Sequence, residues 1–578
     1  MSEEVQAFAG RMLEASPFDI VTLACPQTIN SLEKNKILKS VEILFKARPD
    51  KPGAYLLLFG ADGYHVAWAG TEGVDSSVLC PWDPQYLHLL LGYIHSLYSP
   101  PHTHPVYDSS IHSPRTIDAQ TMWTIECAGK RYNNCHLIFQ GEAWNRRTTV
   151  FESIADPDED FVIIKDSFRD NTRGMDEADY LRQIHKDGVV PGVVTLVDAE
   201  NVTTKFDDGS VHTVKTAPLM NVPVGGSDRI ERTKQRLVMG SKGVTLWEGE
   251  SVLDILMGVY DFLEAHRWII WNNEFLYRDV GKNNLLIYPV HNKDVRDKPV
   301  VKNPPSFIGR VLGLDAGDLT IQSSRCLMID FDNASPLRDE KTGRPHDELK
   351  HVAGTDPYIA RSVYRQAPLP KSEVSLLFTK MPELTYKVRK MYCSHYGQEM
   401  YNKYNDKGTY HGGVLPDDPQ PHSPANDKTF YHQPRHDVES VYWLLLATFL
   451  RVRPSREISD DKDAYLKFNK YCQRLMDRGK GGEDTAKYFM HLSTTNFEEM
   501  LHPSLRPLAR MLNDLTAQVS PEYAYLTPSP PEDHLHEAFR RILLQQIVDM
   551  QGKDIKLDPK NLRTVLNEQV FRDIFGRK

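Results

Sequence analysis

The sequence predicts an α+β chain of two lobes, a small β-rich lobe followed by a large helical one, with a separate small α/β domain in front of them. Three observations lead there. Between Met122 and Val202, short runs rich in β-branched and aromatic residues enclose a single helical pattern. From Ser251 onward, apolar residues recur at helical spacing. Ahead of both, a hairpin pattern and a helical pattern stop at Pro100-Pro101, before the linker-like "SPPHTHPVYDSSIHSP".

Residues 1–112 read as the first domain. In it "AYLLLFGADGYHVAWAG" (Ala54–Gly70) sets two apolar strands around a Gly-Ala-Asp-Gly turn, and "QYLHLLLGYIHSLY" (Gln85–Tyr98) is apolar at helical spacing. Residues 113–242 read as the β-rich lobe. Its strands are "MWTIECAG", "CHLIFQG", "TTVFESI" and "DFVIIKDSF"; its helix is "MDEADYLRQIH" (Met175–His185), after which "GVVPGVVTLVDAENV" returns to strand. A Gly- and charge-rich stretch, about 203–232, reads as an insertion, and "QRLVMGSKGVTLW" as one more strand and its exit. Residues 243–550 read as the helical lobe. Val252, Ile255, Leu256, Val259, Leu263 and Ile270 line one face of a long helix, and later helices cover Asp437–Leu450, Asp463–Met476 and His534–Met550. Polar stretches at about 289–320 and 405–430 read as surface insertions, and 551–578 as a C-terminal tail.

Composition narrows the class. A chain of 578 residues is too long for one core. Its net charge of −9 argues against nucleic acid as a partner, because phosphate binding shows as a basic surface. The seven cysteines include no CxxC pair, so neither a disulfide framework nor a zinc site is expected. The histidines lack the H-x3-H and H-E-x-x-H spacings and are read as surface or core residues. "MSEEVQAFAG" has no apolar signal-peptide core, and the apolar run Val441–Leu450 is far short of a membrane span. A cytoplasmic or nuclear protein without membrane contact is the expectation.

The chemistry lies in a set of short motifs. A two-lobed phosphotransferase needs a strand lysine for the phosphates, a helix carboxylate to hold it, a loop Asp at the substrate hydroxyl, and oxygen ligands for Mg²⁺. "FLYRDVGKNNLLIY" (Phe275–Tyr288) follows the long helix and re-enters strand, with Asp279 and Asn284 at the D-x4-N spacing. "CLMIDFDNA" (Cys326–Ala334) ends an apolar strand in Asp330-Phe331-Asp332, which suits a metal ligand. "GTDPYIARS" (Gly354–Ser362) has the look of the end of an activation segment, with Gly354 and Thr355 at its start. Upstream, Lys165 in "FVIIKDSF" follows an apolar run, and Glu177 opens the lobe's one helix, with Asp176 as the near-equal alternative partner. In "RHDVESVYWLLL", Asp437 reads either as a plain helix cap or as a buried Asp that receives catalytic-loop N–H groups. Read singly, each motif also fits a bland role, such as a capped turn, a solvated lysine or a strand-end Asp. Their order favours a protein-kinase-like fold.

The sequence also resembles the fungal-type protein kinase domain family, a branch of the protein-kinase-like superfamily. The resemblance runs from about 160 to 550, through "FVIIKDSF", "RTKQRLVMGSKGVTLW", "FLYRDVGKNNLLI", "LMIDFDNA", "GTDPYIA", "RHDVESVYWLLL" and "HLHEAFRRIL". It implies Lys165 as the phosphate lysine with Glu177 as partner, Asp279 as the catalytic-loop Asp beside Arg278, Asn284 and Asp330 as metal ligands, and Met239 and Gly240 near the adenine. The sequence departs from the pattern at several positions. Tyr277 stands where a His is usual, Gly281 where many Ser/Thr kinases carry a lysine, and Lys282 lies one residue late. The phosphate-loop stretch "FQGEAWNRRTTVF" offers only Gly141, Arg361-Ser362 replaces Pro-Glu, and the gap from Asp279 to Asp330 is long.

The resulting expectation is an ATP- and Mg²⁺-dependent protein kinase acting on Ser/Thr of a protein substrate. Two rivals differ in class. A small-molecule phosphotransferase of the aminoglycoside or choline kinase type shares D-x4-N, but the segment through "GTDPYIA" suits a peptide platform. A pseudokinase would keep the fold without turnover, as the glycine-poor loop and the missing lysine suggest.

Overall fold

The computed structural model describes residues 22–26, 31–71, 73–98, 108–117, 120–153, 160–205, 208–216, 231–315, 317, 320–370, 374, 380–405, 429–455, 462–476, 489–526 and 530–565. Most of the stretch expected as an insertion at 405–430 therefore lies outside the described residues. The chain divides into two compact units. One comprises residues 1–178, 195–241 and 292–294; the other comprises 179–194, 242–291 and 295–578.

The first unit holds two large sheets. In the first sheet, β1 (Thr22–Pro26) runs parallel to β2 (Ala54–Phe59), which continues antiparallel through β3 (Gly63–Gly70) to β4 (Gly73–Ser76); β5 (Cys80–Pro81) also pairs with β3. The hairpin of β2 and β3 pairs Ala54 with Ala69 and Phe59 with Tyr64. Helix α1 (Ser31–Ala47) buries Val41, Leu44 and Phe45 in one cluster with Ala54, Leu56, Leu58, Ala67 and Ala69 of the sheet. Helix α2 (Pro84–Tyr98) follows.

The second sheet has seven strands. They are β6 (Ile111–Ile117), β7 (Gln120–Cys127), β8 (Lys130–Gln140), β9 (Thr149–Ser153), β10 (Val162–Asp170), β11 (Leu196–Asn201) and β14 (Arg232–Met239), in the order β11-β14-β10-β9-β8-β7-β6. A short hairpin of β12 (Thr203–Lys205) and β13 (Val211–Thr213) occupies part of the expected insertion. The stretch read as a strand from Gly188 becomes regular only at Leu196. Before it, Pro191 and a left-handed Gly192 (φ 83°) break the ladder, and Val189 and Val193 form only isolated bridges.

A buried ionic network fastens this sheet. Residues alternate faces along a strand, so Lys165 and Asp166 of β10 point opposite ways. Asp166 accepts from Arg236 Nε at 2.7 Å, and Arg236 Nη2 also reaches Asp108 at 2.8 Å. Lys234 bridges the same two carboxylates at 2.7 and 3.0 Å and donates to the carbonyl of Pro49. Each charge has opposite partners and hydrogen bonds, which offsets the desolvation cost of burying it.

The second unit is mainly helical. Helix α4 (Val252–Asn273) opens on Ser251, whose hydroxyl accepts the Asp254 N–H, and ends where Glu274 turns left-handed at φ 57°. Val252, Ile255, Leu256, Val259, Leu263 and Ile270 are buried as the spacing predicts, but burial is unbroken from Ile255 to His266 and so covers every face of the helix there, polar Asp261, Glu264 and His266 included. A small sheet joins β15 (Ser241–Thr245), β17 (Leu285–His291) and β18 (Cys326–Met328), and β16 (Phe275–Leu276) pairs with β19 (Ser335–Pro336). Among the described residues, five more helices of eleven residues or longer follow: α5 (Tyr386–Tyr396), α6 (Pro434–Arg451), α7 (Lys462–Met476), α8 (Ala509–Val519) and α9 (His534–Met550). No helix among the described residues is long and apolar enough to cross a membrane.

Candidate active site

The lysine of the strand motif lies in the first unit. The central position of β10, flanked by β9 and β14, pairs Lys165 with Val150 on one side and Leu237 on the other. A side chain so placed is rigidly aimed. Lys165 is buried, and its Nζ lies 2.5 Å from Glu177 Oε2. Glu177 is the first residue of α3 (Glu177–Ile184) and is fully buried. Asp176, the alternative partner, turns elsewhere: it accepts from Gln235 at 2.7 Å and from Arg169 at 3.4 Å.

Three other sequence-predicted positions fall in this unit. Met239 closes β14 and pairs with Ile163 and Leu196. Gly240 donates its N–H to Thr195 O at 3.2 Å, and its carbonyl accepts from Asn292 N–H at 2.8 Å. Its backbone groups are thus engaged within the protein. Gly141 opens the β8–β9 loop, donating its N–H to Thr148 O at 2.8 Å.

The second unit carries the acidic motifs. The loop between β16 and β17 holds Arg278, Asp279 and Asn284, all buried. Arg278 sits at φ 68°, a left-handed conformation that costs a non-glycine residue about 1 kcal/mol. Its backbone is held there by Asp437, whose Oδ2 accepts the Arg278 N–H at 3.0 Å. Asp437 is no helix cap: α6 begins at Pro434, and the carboxylate lies buried in the first turn. Two imidazoles hold it, His266 at 2.9 Å and His432 at 2.8 Å, and His266 in turn bonds His536 at 2.9 Å. Burial pushes the Asp437 carboxyl up, but His432 and His266 outweigh that and hold it well below the usual carboxylate range.

Both oxygens of Asp279 are engaged. The Thr355 hydroxyl donates to Oδ1 at 2.6 Å and the Asn333 amide to Oδ2 at 2.8 Å. Gly281 makes room for this, because a Cβ there would lie 3.1 Å from Thr355 Oγ1. Lys282 does not take the place of the missing loop lysine; its ammonium lies over the Trp247 ring at 4.7 Å. Asn284 donates Nδ2 to the Asp279 carbonyl at 3.1 Å, which commits its donor end and leaves its carbonyl oxygen as the end suited to a cation.

Asp330 follows directly on the β17–β18 ladder. The Ile329 N–H donates to Asn284 O at 3.1 Å, so the pairing that fixes Asn284 also fixes the residue before Asp330. Asp330 is held at φ 62°, and the hydroxyl of Tyr277 donates to the carbonyl of Ile329 just before it. The Tyr277 ring packs edge-on against Phe331 at 5.1 Å, so the aromatic replacing the usual histidine has a packing role. Asp330 and Asp332 carry side-chain oxygens within 4.8 Å of each other. With Asn284, the donor set is all oxygen, which fits a hard cation such as Mg²⁺.

The residues expected as an activation segment lie in the same unit. Gly354 has φ 135° and would bring a Cβ to 3.1 Å from Ile359, so glycine is required there. Beyond it, buried Arg361 meets Glu439 of α6, with Nε 2.8 Å and the backbone N–H 3.0 Å from Oε1. The departure from Pro-Glu thus retains a buried ion pair, with the cation on the segment and the carboxylate on the helix. Sequence reading missed Glu439, Asn333 and the histidines around Asp437. Asn333 follows the Asp-Phe-Asp run directly, a position from which it could have been weighed; the others carry no local signal.

A model of the fungal protein kinase family matches residues 106–449. No curated protein matches the chain. The matched stretch exceeds half of the 578 residues and includes Lys165, Glu177, Asp279, Asn284, Asp330, Thr355 and Asp437. The chain belongs to the fungal protein kinase family.

Proposed function

We propose that the protein is an ATP- and Mg²⁺-dependent protein kinase that phosphorylates Ser or Thr of a protein substrate. The observation that carries this reading is the Asp279 carboxylate, held by Thr355 and Asn333 on a loop whose backbone is pinned by Asp437. Asp279 orients the substrate hydroxyl and accepts its proton as the phosphoryl group transfers. Lys165, kept in place by Glu177, binds the α- and β-phosphates. Asn284 and Asp330 would hold Mg²⁺, which neutralises phosphate charge when bound. Because Thr355 comes from the segment that protein kinases use as a peptide platform, its bond to Asp279 supports a protein hydroxyl over a small molecule.

The pseudokinase reading draws on Gly281, on Lys282 at the Trp247 ring and on the glycine-poor loop. Mg·ATP titration with a thermal-shift readout, followed by phosphoamino-acid analysis of the products, separates the readings. The kinase reading expects a shift in the wild type that is lost in Lys165→Met, together with phosphoserine or phosphothreonine. A shift with no product supports the pseudokinase. Phosphorylated small molecules without phosphoprotein would overturn the substrate class.

A further inference from the structure

In protein kinases the loop joining the two strands before the lysine strand covers the nucleotide phosphates, and glycines let its backbone approach them. Here that loop is 141–148, between β8 and β9, next to β10 in the sheet order. It has one glycine. Its side chains are inserted into the layer of α1 and β2–β3, which precedes the stretch matched by the family model. Ala143 is buried in the cluster of Val41, Leu44 and Phe45, and Trp144 packs against the same cluster. The Trp144 ring meets Phe45 edge-on at 6.4 Å, and its indole N–H donates to Glu42 at 3.3 Å. Asn145 N–H donates to Thr71 O at 2.6 Å.

Arg147 is the deepest anchor. It is 4% exposed, and its guanidinium lies 3.8 Å over the Phe45 ring. It donates to the carbonyls of Arg48, Pro52 and Phe45 at 3.3 to 3.5 Å. On its other side the loop is tied to the lysine strand, since Phe168 N–H donates to Arg146 O at 2.8 Å. A continuous set of contacts therefore runs from α1 through Trp144 and Arg147 to the strand that carries Lys165.

We infer that the layer of α1 and β2–β3 positions the phosphate loop: Arg147 and Trp144 fix loop 141–148 beside Lys165 and so set affinity for the phosphates of ATP. This rests on the kinase reading above. The two side chains are positioning residues that act through the loop backbone.

The test is binding of adenosine, ADP and Mg·ATP to the full chain by calorimetry, with KM and kcat for ATP, in wild type, Arg147→Ala and Arg147→Lys. Arg147→Ala is expected to weaken Mg·ATP by about tenfold, ADP less and adenosine least, because only phosphate contacts are lost. KM for ATP rises accordingly while kcat changes little, and Arg147→Lys, which keeps a cation on Phe45, recovers most of the affinity. If Arg147→Ala does not fold, Trp144→Phe keeps a ring in the cluster and removes the bond to Glu42; about a threefold loss graded by phosphate number is then expected. Equal losses for adenosine and ATP, or no loss, would overturn the inference while leaving the kinase reading intact. A wild type that binds none of the three nucleotides would overturn the kinase reading and the inference with it.

Discussion

At the scale of single residues, the site is a set of side chains each held by at least one specific partner. The Asp279 carboxylate is the clearest case, with the Thr355 hydroxyl on one oxygen and the Asn333 amide on the other. Removing either donor leaves the carboxylate able to rotate away from a substrate hydroxyl. Thr355→Ala and Asn333→Ala are each expected to lower kcat about tenfold, the equivalent of one hydrogen bond of about 1.4 kcal/mol, with little change in KM for ATP. Steady-state kinetics of both variants checks this, and a change confined to KM would count against a positioning role. The two left-handed residues, Arg278 and Asp330, belong to the same logic. Each sits in a costly conformation that its neighbours impose, through Asp437 in one case and the Tyr277-pinned strand end in the other.

At the scale of elements, α6 holds two segments of the second unit in place. Its first turn carries Asp437 to the loop of Arg278 and Asp279, and its second turn carries Glu439 to Arg361. Arg361 and Glu439 are 4% and 8% exposed, so breaking the pair leaves a charge buried alone. Glu439→Ala is expected to destabilise the second unit by about 3–5 kcal/mol in urea unfolding. The double variant Arg361→Leu with Glu439→Leu should recover much of that loss, because a buried pair is replaced by apolar contact. Helix α9 carries an acid-sensitive residue. His534 is fully buried, its Nδ1 lies 2.9 Å from the Tyr523 hydroxyl, and burial pushes its pKa down to about 4. The unfolded chain, with a histidine pKa near 6.5, takes up this proton first as pH falls. Stability is therefore full above about pH 6.5 and is lost as pH drops toward 4. The loss from this residue between pH 7 and pH 5 is expected to be about 2 kcal/mol, and His534→Gln should remove that slope in urea titrations at the two pH values.

Much of this was legible in the sequence, for a physical reason that also sets the limit. Lys165 with Glu177, and Asp279 with Asn284, are pairs twelve and five residues apart on adjacent elements, so their proximity survives as spacing. The contacts that sequence reading left open join residues far apart in the chain. Thr355 reaches Asp279 across 76 positions, Glu439 reaches Arg361 across 78, and His266 reaches Asp437 across 171. Such pairs are chosen by packing and leave no period or motif. The reverse error has a local cause. Around Val189–Thr195 the β-branched residues suggested a strand, and the Pro191-Gly192 turn overrode the propensity.

At the scale of the whole molecule, each of the two units carries residues to which the proposed function gives a part. The first is built around a seven-stranded sheet that aims Lys165, and it ties that sheet through Asp108, Lys234 and Arg236 to the backbone of the N-terminal layer at Pro49. The second presents a carboxylate and an oxygen-rich ligand set on a loop braced by buried helices. In the proposed function these groups serve phosphoryl transfer to a protein. The most direct measurement is transfer of label from γ-labelled ATP to protein, with Mg²⁺, by wild type beside Asp279→Ala. Labelled Ser or Thr is expected with the wild type, and a loss of about a hundredfold or more in the variant, whose melting temperature stays close to that of the wild type. Equal labelling by the two proteins would contradict it.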